Sequence, residues 1–339
     1  MTGGGLRRFR VRVARHLRWA RSGGVGRLIE EDQLDPRARR RLASERRRWV
    51  HDHPGIAPRA VPVFLVGVQR SGTNMLVRGL ETDPSFDVCN ENDRRAFERF
   101  RLRPLPEVRS VVEASGNRFV LLKPLAESHR TVELLDRLGS ASPPRAIWAY
   151  RDVDGRVRSA VAKFGENNLI ALRSIAEGEG GHGWSVGGPA QEMIDTIRAG
   201  LSEDSLELVR SLDWSKLDAD AGAAVFWFVR NRLYFELGLD RRDDVLLSSY
   251  EAMVEDPGGT MRSICSFLEI PFADRLVAHV DRRAAGAKAP LSLPQEVRAR
   301  CDDLQAKLDA AAAQGAAPSN AEDAPASDEA RTQRNRHEA

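Results

Sequence analysis

The chain has 339 residues, is 42% hydrophobic and carries a formal charge of +3. That length holds one large domain or two small ones with a packed core, and the near-neutral balance gives no general argument for a nucleic-acid partner. Three cysteines, Cys89, Cys265 and Cys301, exclude a disulfide scaffold and suit a reducing compartment.

The charge is unevenly spread. Residues 1–60 hold 16 Arg against 6 Asp and Glu, a local excess of +10. Arg outnumbers Lys throughout, as a GC-rich bacterial genome would produce. In residues 6–21, Leu6, Phe9, Val13, Leu17 and Ala20 recur at helical spacing between arginines. Such a basic amphipathic helix can make peripheral contact with an anionic lipid surface. The competing readings are a solvated helix packed on the domain, or a disordered arm. No apolar h-region follows the basic start, and no apolar run reaches the roughly 18 residues of a membrane span. The expected location is cytoplasmic, at most membrane-peripheral. A second Arg-rich helix, Pro36 to Val50, leads to the core. Residues 1–60 therefore read as a basic helical extension before a main domain over 61–310.

Strands and helices then alternate. Val63–Val66, Phe86–Cys89, Phe119–Leu122, Arg145–Tyr150 and Val245–Tyr250 are short, mostly continuous apolar runs. Runs of this kind suit a parallel sheet covered on both faces. Helical patterns fall on 128–138, 219–239 and Met261–Leu268. The expectation is α/β, a doubly wound parallel sheet, with ligands at the carboxyl ends of the strands. Gly178–Gly188, with His182 and Trp184, reads as a lid, an acceptor-side loop or a plain surface connection. From Ala310 onward large apolar residues almost vanish, so residues 311–339 are expected to be a disordered tail.

Chemistry concentrates where the first strand ends. Gly67 and Gly72 have the glycine spacing of a Walker A loop, but Thr73 stands where that motif needs Lys. Arg70 supplies a cation inside the loop instead, beside the hydroxyls of Ser71 and Thr73. The loop and the helix N-terminus after it form an anion cradle without an obligatory metal. A second candidate follows the Arg145–Tyr150 strand. Arg151 closes that strand and Ser159 lies about two turns into the next helix. Arg binds phosphate in a bidentate fashion and Ser adds a donor. Two anion pockets on one sheet imply a ligand phosphorylated at two separated places.

These features resemble the sulfotransferases that use 3′-phosphoadenosine 5′-phosphosulfate (PAPS). Gly67–Leu76 is similar to their 5′-phosphosulfate loop, and Arg151 with Ser159 to their 3′-phosphate motif. Ser249-Tyr250-Glu251-Ala252-Met253-Val254-Glu255-Asp256-Pro257 resembles their Tyr-Glu segment. The motifs fall in the family's order over roughly residues 61–275. The resemblance implies a P-loop NTPase-like sulfotransferase fold. It implies that Arg70, Ser71, Gly72, Thr73 and Asn74 hold the 5′-phosphosulfate and that Arg151 and Ser159 hold the 3′-phosphate. Tyr250 falls at an adenine-contact position, with a core tyrosine as its other reading; Trp227 reads as core.

The resemblance also suggests catalytic roles. Arg70 and Lys123, which closes its strand, would stabilise the leaving phosphate. The family's cytosolic branch carries a His two residues past that Lys; here the position is Leu125. His129 lies in the helical segment that follows and reads as a solvated residue. Asn90-Glu91-Asn92-Asp93-Arg94 is closer to the carboxylate-base branches, which makes Glu91 the base and Asp93 the fallback. The competing reading pairs Glu91 with Arg94 or Arg95 at the surface. The expected function is sulfuryl transfer from PAPS to a hydroxyl of a carbohydrate, lipid or small metabolite, with no nucleic-acid partner. The alternatives are a non-catalytic nucleotide-binding protein and an atypical P-loop kinase.

Overall fold

A computed structural model describes residues 36–56, 59–139, 142–178, 188–281 and 289–315. The candidate lipid-binding helix at 6–21, nearly all of the Gly178–Gly188 loop and residues 316–339 lie outside them. The central sheet has five parallel strands: β1 (Val61–Gly67), β2 (Phe86–Cys89), β5 (Phe119–Leu122), β6 (Arg145–Tyr150) and β7 (Val245–Ser249). Their spatial order is β2-β5-β1-β6-β7. A separate antiparallel ribbon joins β3 (Phe97–Glu98) to β4 (Arg101–Leu102).

β1 shows why these strands read as unbroken apolar runs. Alternate residues of a strand point to opposite faces. Phe64 and Val66 enter one core layer with Trp148, Tyr150 and residues of helices Val153–Phe164, Ala219–Asn231 and Gln295–Gly315. Val63 and Leu65 enter the other with Leu76, Leu80, Met261 and Ile264. The chain runs from β5 on one side of β1 to β6 on the other, which sets a topological switch point at the carboxyl end of β1. There Gly67 pairs with Ala149. Its φ is 118°, and a Cβ would lie 2.2 Å from the Ala149 carbonyl oxygen, so only glycine brings the two strands this close.

The Arg-rich helix forms where expected. It runs Pro36–Asp52 and packs on the domain: Arg46 lies 3.3 Å from Glu81, and Val50 abuts Gly116. Two expectations change. The last helix, Gln295–Gly315, carries residues 311–315, which composition assigned to the tail. Its Leu304 and Leu308 are buried, and alanine extends a helix anchored in this way. The pattern over 219–239 breaks into Ala219–Asn231 and Leu233–Glu236, where the Asn231 side chain donates back to the Trp227 carbonyl at 3.1 Å. Among the described residues no helix is long and apolar enough to cross a membrane.

Candidate active site

The loop after β1 is strained where it meets the helix Thr73–Glu81. Arg70 has φ 75° and Gly72 φ 83°, both left-handed. A Cβ on Gly72 would lie 2.6 Å from Cδ2 of Tyr250, so the loop rests against that ring. No side chain caps the helix at Gly72, which leaves first-turn N–H groups to point at a ligand. Ser71 is buried, and its Oγ finds no hydrogen-bond partner. Ser128 fastens the base of the loop: its hydroxyl accepts from the Gly67 N–H and reaches the Gly67 carbonyl, both at 3.0 Å.

Beside the loop lies a cation–carboxylate corner. Lys123 is buried at the end of β5 and donates to Asn74 Oδ1 at 2.7 Å. Its Nζ is 3.5 Å from Glu91 Oε2. Burial raises the Glu91 carboxyl above the ordinary carboxylate value, and Lys123 pulls against that rise. The surface pairing considered for Glu91 belongs instead to its neighbour. Arg95 clamps Asp93 at 2.7 Å and Asp87 at 2.7 Å. Burial pushes the Asp93 carboxyl up, but hydrogen bonds from the Arg95 side chain and backbone hold it below its usual range. Asp93 is therefore engaged, while Glu91 shares its cation with the loop.

His129 is not the solvated residue that helical context suggested. Its ring is wedged against Gly200, and burial with Arg230 and Arg130 nearby lowers it to about 4. Leu125 is core.

The second corner is built on β6 and β7. Arg151 stacks over the Tyr250 ring at 4.0 Å. Trp227 is core, as its pattern suggested, and its Nε1 donates to the Arg151 carbonyl at 2.8 Å. Two carboxylates flank the Arg151 Nε: Asp152 at 3.9 Å and Glu251 at 3.8 Å. That Nε has no hydrogen-bond acceptor. Asp152 caps its helix by accepting from the Gly155 N–H at 2.6 Å, and its own N–H donates to Glu251 at 3.1 Å. Burial, then the Asp152 carboxylate, raises Glu251 to about 8. The two corners touch through Arg70, whose Nε donates to Ser159 Oγ at 3.0 Å.

The structure thus gathers Arg70–Asn74, Glu91, Lys123, Arg151, Ser159 and Tyr250 along one edge of the sheet. Sequence reasoning missed Glu251 and Asp152; the only signal was their adjacency to Tyr250 and Arg151. Among the described residues no three His, Cys, Asp or Glu side chains cluster as a metal site.

The parallel sheet, its strand order and the helices on both of its faces define a doubly wound α/β fold with its polar residues gathered at the strand ends. The chain matches the sulfotransferase domain model over residues 61–285 and belongs to that family. No curated protein matches it. It is similar to the sulfotransferase domain from the Synechococcus PCC 7002 olefin synthase, at 15% identity and a TM-score of 0.39 over 75% of this chain and 97% of that one. It is also similar to mouse sulfotransferase SULT7A1 complexed with PAP, at 17% identity and a TM-score of 0.32 over 66% of this chain and 65% of that one.

Proposed function

We propose that the chain transfers a sulfuryl group from PAPS to an acceptor hydroxyl, with Glu91 as the base. The observation that carries this reading is the joining of two polar pockets by the Arg70–Ser159 bond, with Glu91 and the loop residue Asn74 sharing Lys123. The site fits a bis-anionic ligand. Ser71 Oγ and Arg151 Nε are buried polar atoms without a hydrogen-bond partner, and the helix at Gly72 has no side-chain cap.

PAPS supplies the activated sulfuryl group. Arg70, Ser71, Gly72, Thr73 and Asn74 would hold its 5′-phosphosulfate, Arg151 and Ser159 its 3′-phosphate, and Tyr250 would contact its adenine side. Glu91 takes the proton of the acceptor hydroxyl. Its raised carboxyl narrows the gap to that weak acid, which favours general base catalysis. Arg70 and Lys123 would offset the charge that develops on the leaving phosphate.

The test is incubation with sulfur-labelled PAPS and panels of hydroxylated carbohydrates, lipids and small metabolites, read by mass spectrometry. Transfer of label to a hydroxyl is the expected result. Calorimetry with PAP and ADP probes the second pocket: PAP should bind far more tightly, and equal affinity would remove Arg151 and Ser159 from the reading.

A further inference from the structure

Arg156 and Arg230 are among the largest fully buried side chains of the protein. Other arginines meet acids: Arg298 meets Asp154 at 2.8 Å, and Arg130 meets Glu127 at 2.6 Å. Among the described residues neither Arg156 nor Arg230 pairs with a carboxylate. Arg156 donates from Nη1 to Asn168 Oδ1 and the Ala223 carbonyl, both at 2.8 Å. Its Nε reaches the carbonyl of Gln69 in the anion loop at 3.3 Å. Arg230 donates to the Leu125 carbonyl at 2.8 Å. Arg156 Nη2 and Arg230 Nε and Nη1 are buried without an acceptor.

The helix Ala219–Asn231 brings the two together. Ala223, Phe226 and Arg230 recur at spacings of three and four, so they share one face. Arg156 bonds the first and lies 5.4 Å from the ring of the second. Arg70 closes the group from the loop side. Burial, then the charges of Arg70 and Arg230, bring Arg156 down to about 9; burial alone brings Arg230 to about 10. A buried charge without a counter-charge is destabilising. Among the described residues no carboxylate balances this one, and only neutral oxygens and the Phe226 ring meet it.

We infer that Arg156 and Arg230 form a cationic floor beneath the anion loop, unbalanced in the free protein and balanced by the negative charge of the bound co-substrate. This rests on the PAPS reading for the identity of the ligand. Both are positioning residues: they hold the Gln69 and Leu125 carbonyls and act on the ligand through space, where low dielectric lets charge act strongly.

The signs of two measurements test it. Arg156→Met should melt at or above the wild-type temperature without ligand, yet bind PAP roughly tenfold more weakly or worse. Arg156→Lys, which keeps the charge, should keep most of that affinity. Arg230→Met reads the same charge independently. Ligand-free destabilisation of both Met variants would overturn the floor, because a purely structural role predicts that sign. Equal PAP affinity for wild type and Arg156→Met would also overturn it, and would leave the PAPS reading intact. Pyrophosphate is the second probe. Wild type should bind it more tightly than Arg156→Met, and failure of wild type to bind it overturns the floor. Pyrophosphate binding without PAP binding sinks the PAPS reading alone and supports the floor.

Discussion

Glu91 and Glu251 follow the two edge strands, β2 and β7, on opposite sides of β1. Burial raises both carboxyls. Their neighbours then act in opposite directions. Glu91 faces Lys123, which pulls it back toward ionisation. Glu251 faces a second carboxylate, Asp152, which pushes it further up to about 8. One carboxylate is kept ready to ionise beside a cation, while the other tends to keep its proton beside Arg151. Both sit at strand ends; the partner decides whether each carboxyl is drawn toward ionisation or toward keeping its proton. On the proposed function that difference makes Glu91 the base and Glu251 a neutral flank of Arg151.

The hardest test of that contrast is Glu91→Gln. Turnover should fall by about 10²–10⁴-fold while PAP affinity stays within roughly twofold. Full turnover in the labelled-sulfuryl assay would erase the distinction between the corners. Lys123→Met comes next, with kcat lower by about 10²-fold. It also has a signed consequence: with the cation gone, burial acts on Glu91 alone. The acid limb of the pH–rate profile should then move to higher pH.

Glu251→Gln has a smaller effect, read in stability. With its carboxyl raised from 4.5 to about 8, the folded protein binds a proton that the unfolded chain releases. This contribution is full below the unfolded value and is lost as pH rises through about 8. Melting temperatures of wild type should decline across that window, and Glu251→Gln should flatten the decline. The smallest effect belongs to Asp93→Asn. It loosens the Arg95 clamp at a stability cost of about 1 kcal/mol, with kcat within roughly twofold. A large loss of rate with unchanged melting would return Asp93 to the base position.

The strands of the central sheet could be read because they are largely buried on both faces, so short apolar runs mark them, whereas the two-residue strands β3 and β4 leave no such run. The loop and Arg151 with Ser159 could be read because their chemistry sits on contiguous or helix-spaced residues. The partners were not legible. Nothing local says that Lys123 reaches Asn74, that Arg95 takes Asp93 rather than Glu91, or that Arg156 is buried. The Lys123 contact and the burial of Arg156 are settled by elements far away in sequence, and the Arg95 pairing by how the turn after β2 folds back on Asp87. His129 shows the same limit: helical context places it in solvent, whereas the approach of Gly200 helps to bury it.

The phenol ring of Tyr250 carries Arg151 on its face and meets Gly72 at its edge. Two loops from distant parts of the chain therefore share one aromatic ring, beside the direct bond between Arg70 and Ser159. That ring works as a gauge. It fixes how closely the Gly72 turn and the Arg151 guanidinium approach each other, so the spacing of these two loops depends on the size of a single side chain.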